Sequence, residues 1–155
     1  MEKTAKRGFS IVEILLVIGI MAIVATIIIF SFSTLNQNYI LEGAAQSATA
    51  LFKDARSRTL SAKGNFQYGI HIASTSITLF PGSVFVSGNP SNEILTFPQS
   101  VAIGTTTLSG VDFDIVFSRL KGIPSQFGTT SVYLLNNPSK YKNILVRESG
   151  LIEIK

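Results

Sequence analysis

Cysteine is absent from the 155-residue sequence, and histidine occurs only once. Without cysteine the chain has no disulfide framework, no thiolate metal site and no thiol nucleophile. Charged residues make up 14% of the sequence, well below the quarter that is usual in globular domains. The length indicates one domain, or one domain with an appended segment. The low charge raises the question of where the apolar residues lie.

The net charge of +4 gives little indication of a nucleic-acid partner. Half of this charge lies in the first eight residues, where Lys3, Lys6 and Arg7 outnumber Glu2. The rest of the chain is nearly neutral, so it lacks the strong basic surface that a polyanion attracts.

The apolar residues are concentrated near the N-terminus, where residues 9–32 read FSIVEILLVIGIMAIVATIIIFSF. A helix of this length rises roughly 36 Å, which is enough to cross a bilayer. The basic residues before it favour a cytoplasmic N-terminus and send the rest of the chain outward. The sequence therefore predicts a single membrane span.

Three simpler interpretations compete, and none of them explains Glu13. A secretory signal peptide cut near Ser33 would have a shorter apolar region. A plain signal anchor needs no carboxylate, and a buried core helix would not be apolar all round. A carboxylate at the centre of a span costs on the order of 2.5–3.5 kcal/mol, and less near an interface, so its presence indicates a function.

The start of the span carries a resemblance to a known family. It reads KRGFSIVE over residues 6–13, followed by an unbroken apolar run. This pattern resembles the N-terminal signature of type IV prepilins and type II secretion pseudopilins. The resemblance implies that a prepilin peptidase cuts between Gly8 and Phe9 and N-methylates Phe9, and that Glu13 is the assembly glutamate. It also implies membrane lipid, other pilin subunits and an inner-membrane assembly platform as partners, with no cofactor.

One departure from the family pattern concerns the middle of the span. Many major pilins carry Gly and Pro at the positions of Ala22 and Phe30, and the proline favours a kink. Neither residue is present here. The departure favours a minor subunit or a pseudopilin over a major pilin.

Beyond the span, the pattern predicts an amphipathic helix and then strands. The helix is expected to run from Phe9 to about Lys63 and to stop at Gly64. Its apolar stripe consists of Leu41, Ala44, Ala45, Ala48, Leu51, Phe52 and Ala55. The predicted strands are 66–73, 76–80, 84–87, 94–97, 111–117, 131–135, 143–147 and 151–155.

The predicted fold class is α+β, a long N-terminal helix packed on an antiparallel β-sheet head. We expect a cleaved leader at 1–8, a transmembrane segment at 9–32 and its amphipathic continuation at 33–64. The extracytoplasmic head at 65–155 would form one domain with that continuation. Residues 54–65 and 131–135 are similar to stretches of pseudopilin H and FimT-like minor pilins, which implies a two-sheet head.

Candidate catalytic residues are few, and each has a simpler interpretation. His71 falls within a predicted strand, where a lone histidine is usually structural. Asp112 and Asp114 share one face of a predicted strand, which is typical of a solvated surface. Ser118 and Lys121 match a Ser-x-x-Lys spacing that carries little weight alone. No phosphate loop, dinucleotide motif or metal-ligand cluster appears in the sequence, so we expect no enzyme and no bound metal.

The C-terminal strands contain the one candidate nucleic-acid surface, formed by Lys140, Lys142, Arg147 and Lys155, with Tyr141 available to stack. Glu148 and Glu153 lie among these cations and weaken their field. The sequence thus favours a structural subunit of a secretion or pilus filament, held in the inner membrane before assembly. A DNA-uptake minor pilin and a signal-anchored domain that never polymerises remain the alternatives.

Overall fold

The computed structural model describes residues 10–110 and 112–155. The chain divides into two compact units, one ending at Gln37 and the other comprising Asn38–Lys155. The elements are α1 (Ile11–Leu60), a short 3-10 helix (Lys63–Asn65), and the strands β1 (Tyr68–Ile72), β2 (Ser76–Pro81), β3 (Glu93–Thr96), β4 (Val101–Leu108), β5 (Asp114–Val116), β6 (Gly128–Leu134), β7 (Asn137–Val146) and β8 (Ile152–Ile154). The α+β class predicted from the sequence is confirmed.

In the second unit, one stripe of α1 is buried against the strands. The predicted stripe is confirmed except at Leu51, which is only half-buried. Its fully or nearly fully buried members are Leu41, Ala44, Ala45, Ala48, Phe52 and Ala55. Four of these six are alanines, so the helix axis can approach the sheets closely. Phe52 provides the bulky side chain that fills the space between the layers.

The helix ends earlier than predicted. The prediction placed its end near Lys63, but α1 ends at Leu60, and Ala62 already has a positive φ of 51°. Gly64, predicted to stop the helix, has a φ of 64° inside the 3-10 turn that follows. Thr59 then joins the helix to the sheet, because its hydroxyl accepts a hydrogen bond from the backbone N–H of Tyr68 at 2.9 Å.

The strands of the head form two four-stranded antiparallel sheets, in the orders β3-β2-β1-β5 and β4-β6-β7-β8. Apolar side chains of both sheets and of α1 meet in one core, which includes Ile70, Leu79, Phe117, Val132 and Ile144. The head is therefore a helix and two sheets around a common hydrophobic centre.

The predicted C-terminal hairpin is confirmed, with Ile144 opposite Ile154 and Val146 opposite Ile152. Strand β7 begins earlier than predicted, at Asn137, and its pairing with β6 shifts between Tyr133 and Leu134. Pro138 is tolerated in this strand because it lies beside that irregularity.

The observed strands differ from the predicted ones at two further places. Residues 84–87 form no strand; Val84 and Val86 are exposed there, and Phe85 stacks instead on the His71 ring at 3.9 Å. Strand β4 is not among the predicted strands; it contains Gly104, and a glycine inside a strand pattern weakens the strand signal. The chain accommodates this glycine at a register shift between Ile103 and Thr106.

Candidate functional site

The first unit contains the one segment, among the described residues, that is long and apolar enough to span a membrane. This segment, Ile11–Ile29, has 19 residues and a mean hydropathy of 2.9. None of it is buried within the protein. Such a helix exposes apolar side chains on every face, so it requires lipid or other helices around it.

Glu13 lies in the first turn of α1, and Ser10 immediately precedes that helix. The Ser10 carbonyl accepts hydrogen bonds from the backbone N–H groups of Glu13 at 3.0 Å and Ile14 at 3.2 Å. A carboxylate at this position is favoured by the positive end of the helix dipole. Ser10 and Glu13 also have the Ser-x-x-Glu spacing of a capping box, a sequence signal that was not among the predictions above.

In the described residues the helix begins at Ile11, directly after Ser10; Gly8 and Phe9, the predicted cleavage and methylation residues, lie outside the described residues. Of the three predicted processing and assembly residues, Glu13 is the one that lies within the described residues. Farther along, α1 continues without a break through Ala22, whose carbonyl also accepts a hydrogen bond from the Thr26 hydroxyl at 2.8 Å.

The four C-terminal cations do not lie on one face of the head. Lys142 is opposite the buried Val132 and pairs with Glu42 of α1, with Nζ and Oε2 at 2.8 Å. The hydrogen bond from Lys142 holds the pKa of the Glu42 carboxyl below its ordinary value. Lys140 donates to the Asn38 side chain at 2.9 Å, also on α1.

The other two cations belong to the opposite face of the second sheet. Arg147 follows the buried Val146, and its guanidinium pairs with Glu153 at 2.9 Å. Lys155 is joined to Asn143 by two backbone hydrogen bonds of 2.9 and 2.8 Å. Three of the four side chains thus have acceptors within the head, and the predicted nucleic-acid residues are not brought together.

Among the candidate catalytic residues, His71, Asp114 and Ser118 have hydrogen-bond partners within the protein. His71 on β1 lies opposite Asp114 on β5, with Nδ1 and Oδ1 at 2.6 Å. Asp112 precedes β5 and is not part of the strand. The Ser118 hydroxyl accepts a hydrogen bond from the backbone N–H of Ile123 at 3.2 Å, inside its own loop. Over residues 10–110 and 112–155, no three His, Cys, Asp or Glu side chains cluster as metal ligands.

A family model described as the prokaryotic N-terminal methylation motif matches residues 3–29. No curated protein sequence matches the chain. Three solved structures are similar to it. Their sequence identities to this chain are 11–14%, so the likeness shows the fold alone.

The minor pseudopilin EpsH of the type 2 secretion system of Vibrio cholerae has a TM-score of 0.56 and 11% identity, covering 74% of this chain and 95% of its own. The type IV minor pilin FimU of Pseudomonas aeruginosa is similar in two crystal forms, with TM-scores of 0.54 and 0.56 and identities of 13% and 14%. These matches cover 74% and 80% of this chain and 92% of the FimU chains.

Proposed function

We propose that this type IV pilin-like chain is a minor structural subunit of a type II secretion or type IV pilus filament. One observation carries the proposal: an exposed apolar helix with a single carboxylate in its first turn belongs to a chain whose head has the fold of a minor pseudopilin and a minor pilin. The methylation motif over residues 3–29 supports the same function.

Processing would precede assembly. The precursor inserts with its basic N-terminus in the cytoplasm and its head outside. A prepilin peptidase then removes the leader at 1–8 by cutting between Gly8 and Phe9, and methylates the new amine of Phe9. A glycine before the cut leaves the peptide bond accessible, since it has no side chain to obstruct the peptidase.

Assembly would transfer the span at 9–32 from lipid into a bundle of helices. In the membrane Glu13 lies near an interface, where water relieves part of the cost of its charge. Inside a bundle an unpaired carboxylate would be penalised by several kcal/mol. The cationic Phe9 amine of an adjacent subunit is the partner that offsets this cost, so the pair favours the correct axial register.

The head would contribute surface to the filament and not catalysis. The segment at 33–64 and the strands from residue 65 onward form one extracytoplasmic domain in this proposal. Inner-membrane assembly proteins and other pilin subunits are the partners.

Two substitutions separate the charge of Glu13 from the capping-box spacing that it shares with Ser10. Glu13→Gln keeps a side chain that suits a capping box but removes the charge, whereas Glu13→Asp keeps the charge and shortens the reach. We expect Glu13→Gln and Glu13→Ala to be cut and inserted normally yet to enter filaments poorly, and Glu13→Asp to be intermediate. Processing and filament incorporation are measured in the same cells.

Incorporation of Glu13→Gln at the wild-type level, together with a defect in Glu13→Ala, would assign Glu13 to capping alone. A wild-type chain that remains in the membrane while the filament assembles without it would instead support a signal-anchored domain that does not polymerise. Ser10→Ala is the matched control, because it removes the serine of the capping-box spacing and leaves the charge of Glu13 in place.

A further inference from the structure

An open groove of about 860 Å³ crosses strands β4, β6 and β7 on the face of the second sheet that points away from the core. This face arises because successive side chains of a strand point to opposite sides of the sheet. Thr130, Val132 and Leu134 of β6 are buried, so the residues between them face outward. The volume is within the range of small-ligand sites.

Gly104 allows the groove to form where β4 is irregular. A Cβ atom at this position would lie 2.8 Å from the Ser131 hydroxyl oxygen and 3.0 Å from Cδ1 of Tyr133. Both distances are shorter than ordinary carbon contacts, so a larger residue would displace these side chains. The glycine thus lets the Tyr133 ring lie directly against the backbone of β4.

The lining is neutral, aromatic and rich in hydroxyl groups. Tyr133 and Tyr141 are opposite one another on β6 and β7, and Thr107 and Thr129 are opposite one another on β4 and β6. Asn143 adds an amide at one side. Among the residues that the structure describes, no charged side chain lines the groove. Lys155, which follows β8 and is joined to Asn143 by backbone hydrogen bonds, is a cation adjoining its rim.

We propose that this groove binds a neutral oligosaccharide chain. Sugar rings present C–H faces that pack on tyrosine rings, and hydroxyl groups that exchange hydrogen bonds with threonine and asparagine side chains. An anionic ligand would need several cations, and an apolar peptide would need aliphatic side chains. The open shape suits a chain that lies along the surface, and it predicts weak binding.

The test uses the full-length chain in a zwitterionic detergent that contains no sugar. Neutral tetrasaccharides of glucose and of N-acetylglucosamine are the probes, with a tetrasaccharide of uronic acids and an oligonucleotide as anionic comparisons. Saturation-transfer NMR and calorimetry should detect at least one neutral probe with a Kd on the order of 1 mM. No transfer to any neutral probe at about 10 mM, or tighter binding of either anion, would overturn the proposal.

Matched variants locate the binding. Tyr141→Ala should weaken binding about tenfold, and Thr107→Val combined with Thr129→Val, which keeps the side-chain shape, should weaken it at least about threefold. Tyr39→Ala is the control, since Tyr39 is an exposed tyrosine on α1 and should leave affinity unchanged. Binding that survives Tyr141→Ala, or that tightens when the hydroxyls are removed, would contradict a saccharide site. The assay requires neither cleavage nor a filament, so its failure leaves the proposed assembly function unaffected.

Discussion

Arg58 of α1 and Glu93 of β3 form a two-point ion pair that joins the helix to the edge of the first sheet. Nη2 of Arg58 lies 2.9 Å from Oε2 of Glu93, and Nη1 contacts the other carboxylate oxygen. Asp54, one helical turn before Arg58, contacts the same guanidinium at 2.6 Å. The hydrogen bond from Arg58 lowers the pKa of Glu93, and the two carboxylates raise the pKa of Arg58.

This pair predicts a pH-dependent contribution to stability. The folded-state pKa of Glu93 is below its ordinary 4.5, so its contribution is present above pH 4.5 and is lost as the pH falls through the lowered value. Glu93→Gln should therefore reduce the free energy of unfolding at pH 7 by at most about 1 kcal/mol, because the carboxylate is half exposed. Unfolding followed by near-UV circular dichroism should show the difference shrinking below pH 4.5. A difference that grows with acid would contradict the assignment.

Two glycines should respond in opposite directions to the same substitution. Gly69 lies opposite Phe80, and a Cβ there would overlap the buried Phe80 ring. Gly69→Ala should therefore destabilise the head by about 1–3 kcal/mol. Gly43 lies within α1 with open space around it, so Gly43→Ala should stabilise it by about 0.5–1 kcal/mol. Thermal unfolding of the two variants checks both signs, and a neutral Gly69→Ala would show that the Phe80 ring moves aside easily.

The arrangement of the C-terminal cations predicts weak binding to DNA. Lys142 and Arg147 already pair with Glu42 and Glu153. We therefore expect the logarithm of the binding constant for duplex DNA to fall with the logarithm of salt concentration with a slope shallower than about −2. The double variant Lys140→Gln/Lys142→Gln should have nearly the same slope. A slope of about −4 or steeper, reduced by that double substitution, would instead favour a DNA-uptake subunit.

The elements that were predicted from the sequence are those determined by local patterns. The alanine-rich stripe of α1 and the C-terminal hairpin follow directly from residue spacing. Glu13 was found because a charge in an apolar span has a high cost, independent of the rest of the fold.

The errors occurred where tertiary pairing decides the outcome. Strand β4 contains Gly104 and a run of threonines, and only its pairing with β6 makes it a strand. Residues 84–87 have a strand-like composition, yet Phe85 packs on His71 and leaves the neighbouring valines exposed. The groove depends on the register of three strands at once, so no single segment of the sequence indicates it.

The mature N-terminus tests the proposed function most directly. In cells that contain a prepilin peptidase, the intact mass of the purified protein should show loss of residues 1–8 and gain of one methyl group on Phe9. Gly8→Leu is the control and should leave the precursor uncut in the membrane. An uncut wild-type chain, or one that begins at Ser33, would contradict the proposal that this chain is a processed pilin-like subunit.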